Sequence, residues 1–243
     1  EPSTQVKEGD VIDVRFDPQR KYRETWLGKF QSKTPQGQFQ CKTFSVVFED
    51  DYLIVVEKQA GILTVPTERQ EDRTLVDEVS RYLGGRNRAL VVHRLDRETS
   101  GLLVFAKQSE IAGALQDQLR LRAPDREYLA IVAGVMKEDS GQYESYLATS
   151  KRLSRYSVEN PNGGEHAITH FEVAERLAET TLVRVKLDTG RRNQIRVHLA
   201  EAGHPIIGDR RYRPHLAKHP DWPHARLALH AHILGFQHPV DRK

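Results

Sequence analysis

The sequence contains very little sulfur: Cys41 is its only cysteine and Met136 its only methionine, among 243 residues. A single thiol excludes a disulfide framework, a thiolate zinc site and an iron–sulfur cluster. A chain without disulfides suits a reducing compartment, so we expect a cytoplasmic protein.

Long apolar runs and a dominant charge are also missing. No uninterrupted apolar stretch approaches the ~20 residues that a membrane-spanning helix needs. The N-terminal residues lack the basic and apolar segments of a signal peptide. The formal net charge is only +3, so bulk charge does not distinguish a nucleic acid from any other partner. Hydrophobic residues make up 38% of the chain, which is an ordinary globular composition.

The first 40 residues differ from the rest of the chain. Residues 6–14 have the pattern of a turn that enters a short strand, and the stretch that follows is rich in Gln, Lys and Pro. We predict that residues 1–40 are the tail of a small accessory unit plus a linker. Residues 41–243 then form the main domain.

The main domain alternates between two hydrophobic periods. Apolar residues recur at helical spacing over 74–83 and 109–122, where Thr74 and Gly84 suit the start and the end of the first helix. Alternating or continuous apolar residues predict the strands 44–48, 52–58, 127–132, 168–173 and 181–187. Several strands with few helices favour an α+β domain built on a mixed sheet.

Residues 93–101 form a polar loop between two apolar runs. In this loop Asp96 lies between Arg94 and Arg97, and nearby cations keep a carboxylate ionised. An ionised Asp on a loop held between buried strands is a candidate nucleophile or base. The alternative is a solvated turn in which Asp96 merely pairs with an arginine.

A second polar segment, residues 188–205, has the pattern of a strand, a turn and a helix that Gly203 terminates. Arg192 and Arg196 are four residues apart, which predicts that both project from one helix face. Two such guanidinium groups would bind phosphates or clamp a carboxylate. The alternative is a solvated basic face at the start of the helix.

Histidines are concentrated near the C-terminus, where eight of the 11 lie between His198 and His238. No HExxH pattern, cysteine or suitably spaced carboxylate accompanies them, so we predict no metal site. We expect these rings to pack or to form hydrogen bonds.

Residues 93–104 resemble the catalytic motif of the RluA family of RNA pseudouridine synthases. Residues 190–199 and 204–209 resemble that family's later motif. Tyr212 also belongs to that later motif. Supporting similarities lie at 52–58, 61–63, 127–130, Gly134 and 226–231. These segments follow the family's order and spacing over about residues 44–239.

The resemblance implies a mixed, mainly antiparallel sheet with flanking helices and a central RNA-binding cleft. It implies isomerisation of specific uridines in ribosomal or transfer RNA to pseudouridine, with no cofactor and no metal. The N-terminal residues resemble the end of an S4 RNA-binding domain, and the chain stops short of the family's last strand, so we expect a fragment. RNA is the expected partner, and we expect a monomer.

The resemblance also assigns roles to single residues. Asp96 matches the catalytic carboxylate, Arg196 its basic partner and Tyr128 the residue that stacks on the target uracil. Arg94 matches the residue that fills the space of the flipped base, and Leu229 an apolar position near that base. Arg192 is a further candidate for substrate binding. Asn193 departs from the family, since many members have His there, and we expect a change in local hydrogen bonding only.

Three other functions remain open at this point. A catalytically silent RNA-binding protein would share the basic cleft but would not need Asp96. A nucleosidase or glycosidase would normally use a second catalytic carboxylate, and none is evident. A metal-dependent hydrolase would use the late histidines.

Overall fold

A computed structural model describes residues 12–15, 43–67, 73–85, 88–121, 125–151, 153–222 and 226–240. In these ranges the chain forms three α-helices, α1 (Leu75–Tyr82), α2 (Ser109–Leu121) and α3 (Gln194–Glu201). It also forms eleven strands: β1 (Ile12–Arg15), β2 (Phe44–Glu49), β3 (Leu53–Lys58), β4 (Leu90–Val91), β5 (Ser100–Ala106), β6 (Arg126–Ala133), β7 (Ser140–Thr149), β8 (Arg155–Val158), β9 (Glu165–Arg176), β10 (Thr180–Leu187) and β11 (Leu229–Phe236). The predicted α+β class is confirmed.

All of these strands join one sheet, with the order β2-β3-β5-β11-β6-β10-β9-β7-β8. Strand β1 pairs with β11, and β4 pairs with β5. Strands β5 and β11 run parallel, whereas the other pairings are antiparallel. The expected mixed, mainly antiparallel sheet is therefore confirmed, and its only parallel pair among the described strands lies near the middle.

The helices cover the two faces of the sheet unequally. Helix α2 packs on one face, where Leu115 contacts the cluster that contains Val104. Helices α1 and α3 cover the opposite face, because Tyr128 of β6 packs against both of their clusters. Tyr128 therefore marks the place where the two halves of this face meet.

The ends of α1 follow from its sequence. The carboxylate of Asp77 accepts hydrogen bonds from the backbone N–H (3.1 Å) and the hydroxyl (2.6 Å) of Thr74, the N-cap residue. Gly84, just beyond the last turn, has a φ of +87°, a conformation that favours glycine. The predicted helix over 74–83 is confirmed within one residue at each end.

Strands β7 and β8 were not predicted from the sequence. Most residues of β7 are exposed or only partly buried, and Leu147 is its single fully buried side chain. A strand with so little apolar alternation lacks the period-two signal on which a sequence prediction depends. Hydrogen bonding to β9 and β8 stabilises β7 instead.

The proposed accessory unit at residues 1–40 lies mostly outside the described residues. Within it, β1 pairs antiparallel with β11, from Ile12 opposite Phe236 to Arg15 opposite Ile233. The S4-like assignment stays a prediction. None of the helices in the described ranges is long and apolar enough to cross a membrane.

Candidate active site

A buried lysine holds the loop that carries Asp96. Lys58, at the end of β3, is 0% exposed, and its ammonium donates to three backbone carbonyls. The acceptors are Gln59 (2.9 Å), Arg97 (3.0 Å) and Thr99 (2.7 Å). Two of these carbonyls lie in the loop just after Asp96. One side chain therefore fixes the path of the loop on the C-terminal side of Asp96.

Thr64 fixes the other side of Asp96. Its hydroxyl donates to the carbonyl of Leu95 (2.8 Å) and accepts the N–H of the same residue (3.1 Å). The N–H of Gly61 donates to the carbonyl of Arg97 (2.8 Å). The chain between β3 and α1 thus binds the backbone on both sides of Asp96. The backbone that carries this carboxylate is therefore held in place.

A glycine allows the loop to enter the centre of the sheet. Gly101 of β5 lies opposite Ala231 of β11 in the parallel pair. A Cβ atom at Gly101 would lie 2.2 Å from the carbonyl oxygen of Ala231, and the φ of Gly101 is +114°. Only glycine fits this approach without a backbone shift.

Arg196, on α3, brings the second half of the site to Asp96. Its Nη1 donates to Oδ2 of Asp96 (3.1 Å), and its Nε and Nη2 donate to the two carboxylate oxygens of Asp209 (2.7 and 2.9 Å). The ring of Tyr212 lies 5.1 Å from the guanidinium carbon. Asp96 therefore contacts a guanidinium that a second, buried carboxylate already holds.

The electrostatics of the site favour a permanent ion pair. Burial opposes the charge of Arg196, but the hydrogen bonds and charge of Asp209, together with Asp96, raise the pKa of Arg196 above its usual value. Burial lowers the pKa of Lys58 to about 8, against the attraction of Glu98 and Asp96. Arg196 therefore stays cationic at any physiological pH, whereas Lys58 is half deprotonated near pH 8.

His93 opens the loop and is neutral. Burial and the positive charge of Arg126 lower its pKa to about 3. The backbone N–H of Val104 donates to Nε2 of this ring (3.2 Å), which requires an unprotonated Nε2. His93 is therefore a neutral hydrogen-bond acceptor and not a cation.

Tyr128 lies between the two halves of the site. Burial raises its pKa, Arg126 opposes this shift and the negative charge of Asp96 adds to it, so the phenol is neutral. Leu229 is 4% exposed and belongs to a core cluster against which Tyr128 packs. The structure thus places both residues near each other, as their expected roles require.

The two arginines that flank Asp96 in the sequence are not its ion-pair partners in the described part of the chain. Arg94 is exposed, and no ion pair to it is found among the described residues. The partner is Arg196, 100 residues further along the chain. The expectation that Arg94 or Arg97 supplies the cation beside Asp96 is therefore wrong, although Asp96 does pair with an arginine.

The prediction that Arg192 and Arg196 share a helix face is also wrong. Asn193 has a φ of +56° in the left-handed region, so α3 begins only at Gln194. Arg192 lies in the preceding turn, is exposed and donates to the carbonyl of Leu153 (3.1 Å). Asn193 itself accepts from Nη1 of Arg196 (3.3 Å), so it takes part in the local hydrogen bonding.

Sequence reasoning gave no role to several residues that build this site. Lys58 ends a strand of mostly apolar residues. This position could have predicted a buried cation. Asp209 and Tyr212 lie within the motifs but far from Arg196 along the chain. Arg126 had no signal beyond its position two residues before Tyr128.

Several of the described histidines form hydrogen bonds, as expected. His198 bonds to Thr169 (2.8 Å), His204 to the carbonyl of Ala133 (2.9 Å) and His230 to Ser100 (2.9 Å). Among the residues that the structure describes, no group of three or more His, Cys, Asp or Glu side chains could hold a metal ion. His224 lies outside those residues.

Comparisons with known proteins identify the family. A family model described as RNA pseudouridylate synthase matches residues 52–201. Ribosomal large subunit pseudouridine synthase D of Xylella fastidiosa is 34% identical, over 97% of this chain and 76% of that protein. The protein of the same name from Vibrio cholerae is 34% identical over 98% of this chain and 73% of its own length. A Bacillus subtilis protein described as an uncharacterized RNA pseudouridine synthase is 36% identical, and the match covers 80% of this chain and 64% of that protein.

Solved structures show the same fold. Human RNA Pseudouridylate Synthase Domain Containing 4 matches with a TM-score of 0.63 and 22% identity, over 79% of this chain and 86% of that one. Human RNA Pseudouridylate Synthase Domain Containing 1 also has a TM-score of 0.63, with 24% identity over 80% of this chain and 79% of that one. These comparisons confirm the pseudouridine synthase fold. The chain therefore belongs to the RluA family of RNA pseudouridine synthases, the enzymes that isomerise uridine in RNA to pseudouridine.

Proposed function

We propose that this protein converts a uridine of large-subunit ribosomal RNA to pseudouridine, with Asp96 as the catalytic carboxylate. The observation that carries the proposal is the hydrogen bond between Asp96 and Arg196. Tyr128 packs against the core cluster that contains Leu95, the residue before Asp96. The names of the relatives from Xylella fastidiosa and Vibrio cholerae support ribosomal RNA as the substrate.

The chemistry demands a confined, extruded base. The C1′–N1 bond of uridine breaks, the uracil turns, and C1′ bonds to C5; C5 then loses its proton while N1 gains one. All atoms and oxidation states are conserved, so this chain's residues need no redox partner for the reaction. The base must leave its stack and stay in place while it is detached, which an aromatic floor such as Tyr128 achieves.

The two carboxylate oxygens of Asp96 differ in their hydrogen bonding, and we assign the reaction to Oδ1. Oδ2 accepts the hydrogen bond of Arg196, whereas no hydrogen bond to Oδ1 is found within the described residues. The side chain of Asp96 is 22% exposed, so a bound nucleotide can reach it. An ionised carboxylate there would attack C1′ or remove the 2′ proton, and both routes start from the same arrangement.

Arg196 acts as a positioning residue in this proposal. Its side chain is 14% exposed, and its guanidinium already donates to Asp209 and Asp96. The hydrogen bond from Arg196 orients the carboxylate of Asp96. A phosphate ligand would need donors that Arg196 has already committed, so we assign phosphate binding to other cations.

Three other residues complete the proposed site. Leu229 would form the apolar wall near the uracil. Arg94, exposed on the loop, would fill the space that the base leaves in the RNA stack. Arg192, also exposed, would contact the RNA backbone. Asp96, Tyr128 and Arg196 all belong to one chain, so we propose that a monomer is active, and we place it in the cytoplasm. Light scattering of the purified protein tests the monomer.

Site-resolved mapping of pseudouridine tests the proposed function. Large-subunit ribosomal RNA and transfer RNA, each without the modification, are incubated with the wild type or with Asp96→Asn. We expect pseudouridine at a specific ribosomal uridine with the wild type only. Modification of transfer RNA alone would overturn the ribosomal substrate, and tight RNA binding without any pseudouridine would favour a silent RNA-binding protein.

A further inference from the structure

A second buried cation lies beside Tyr128. Arg126 precedes Tyr128 by two residues on β6, so both side chains leave the same face of the sheet. Arg126 is 8% exposed, and its Nε is buried without a hydrogen-bond partner. Within the described ranges, no salt bridge or hydrogen bond of this guanidinium is found, and Nε is its one nitrogen that is completely buried without a partner.

The surroundings of Arg126 place it at the active site. A Cβ atom at Gly190 would lie 3.0 Å from Nη1 of Arg126, so the guanidinium rests against the turn that leads into α3. Its charge also acts on His93 and Tyr128, and both of these groups are neutral. Neither of them therefore compensates the buried charge.

Arg155 shows how this fold treats a comparable residue. Arg155 is 7% exposed and its Nε is also buried without a partner. However, Nη2 of Arg155 donates to Glu165 and Nη1 donates to Thr149 (2.8 Å). A buried cation without an anion is unfavourable, and proteins normally retain one only where something else compensates it. The contrast indicates that Arg126 is matched by a ligand.

Charge decides which ligand fits. Asp96, Asp209 and Arg196 together carry one net negative charge, which repels the backbone of an approaching RNA. Arg126 adds a positive charge near Tyr128 that would attract this backbone. The phosphodiester is the permanent anion of RNA, whereas uracil is neutral until its bond to the sugar breaks. A guanidinium also matches phosphate geometry with two parallel hydrogen bonds.

We propose that Arg126 binds the phosphodiester group of the target nucleotide and thereby positions it beside Tyr128 and Asp96. The proposal rests on the proposed function, because it takes RNA as the substrate. It makes Arg126 a substrate-contacting residue and separates its task from that of Arg196, which holds the carboxylate.

The first experiment compares two buried arginines. Thermal unfolding and RNA titrations at several salt concentrations are measured for Arg126→Met and Arg155→Met. We expect Arg126→Met to unfold at the same temperature as the wild type or higher, because it removes an unpaired buried charge. Its RNA affinity should fall about 10- to 100-fold. Its salt slope, the slope of the logarithm of the RNA-binding constant against the logarithm of the salt concentration, should decrease in magnitude by about one. Arg155→Met should unfold at a lower temperature, since it removes the hydrogen bonds of Arg155 to Glu165 and Thr149.

The second experiment removes the charge from the RNA. Substrates carry a neutral methylphosphonate linkage on the 5′ or the 3′ side of the target uridine. With the wild type, one of the two linkages should weaken binding about as much as Arg126→Met does. Arg126→Met should lose nothing further on that substrate, because the contact is already absent. Arg120→Met, on α2 at the other face of the sheet, should behave like the wild type throughout.

Each result decides the proposal. A lower unfolding temperature for Arg126→Met with an unchanged salt slope would make Arg126 a structural residue. The proposed contact would also be overturned if Arg126→Met and each methylphosphonate linkage lowered the RNA affinity independently, so that their losses added. The titrations do not need catalysis, so a wild type that binds RNA but forms no pseudouridine would refute the proposed function and still report on Arg126.

Discussion

Two carboxylates, from different segments of the chain, contact Arg196, and their side chains differ in solvent exposure. The side chain of Asp209 is 0% exposed and takes two hydrogen bonds from the guanidinium, and its Oδ1 also accepts the N–H groups of Arg211 and Tyr212. Asp96 is 22% exposed and takes one hydrogen bond. The difference teaches that the buried carboxylate fixes the arginine, while the open one remains available to a substrate.

The two segments also differ in what holds their backbone. The turn at residues 208–212 depends on the side chain of Asp209 itself. The loop at residues 93–99 depends on Lys58 and Thr64, which bind its backbone from the neighbouring segment. The Asp96 side chain therefore has no structural task, whereas the Asp209 side chain does.

The largest effect on turnover is expected at Asp96. Asp96→Asn should reduce pseudouridine formation by about 10⁴-fold or more, because the essential charge is lost. The free energy of unfolding should change by less than about 1 kcal/mol, since a part-exposed ion pair contributes little. Single-turnover assays and chemical unfolding measure the two effects. A clear loss of stability would contradict the comparison of the two carboxylates.

Asp209→Asn should reduce stability more than Asp96→Asn does and turnover less. It replaces a buried carboxylate that pairs with Arg196, so we expect the free energy of unfolding to fall by about 3 kcal/mol. Turnover should fall about 10- to 100-fold, because Arg196 keeps its contact with Asp96 but loses its support. The same two assays apply. A stable Asp209→Asn variant without any activity would show that Asp209, and not Asp96, carries out the chemistry.

Lys58→Met should disturb the Asp96 loop from a distance. Three backbone carbonyls lose the ammonium of Lys58, and that of Arg97 keeps only the N–H of Gly61. This loss should lower the free energy of unfolding by about 2 kcal/mol. We expect the turnover number to fall while the salt slope of RNA binding stays unchanged, since Lys58 is fully buried. RNA titrations beside single-turnover rates separate these effects. A lower salt slope would show that Lys58 contacts the RNA instead.

The smallest effect is a pH dependence of stability. The pKa of Lys58 is about 8 in the folded protein and 10.5 for an ordinary lysine. Between these values the unfolded chain binds more protons than the folded one, so the Lys58 contribution to the free energy of unfolding rises with pH. The difference between the wild type and Lys58→Met should therefore grow from pH 8 toward pH 10.5. A difference that stays flat or shrinks over that range would contradict the lowered pKa.

Local sequence patterns predicted the elements that local interactions determine. Helix α1 has a capping residue, an apolar stripe and a terminal glycine, and all three signals lie within about ten residues. The polar loop around Asp96 was recognisable because apolar strands enclose it. Strand β7 escaped prediction because its stability comes from its neighbours in the sheet and not from its own pattern.

By itself, the sequence determined the α+β class, the strands around the Asp96 loop and the family to which the chain belongs. Only the tertiary structure decided that Asp96 pairs with Arg196 and not with Arg94 or Arg97, that Arg192 leaves the helix face, and that Arg126 is buried without a partner in the described chain. The physical reason is distance along the chain. Contacts between residues about 100 positions apart exist only once the sheet order brings β5, β11 and β6 together.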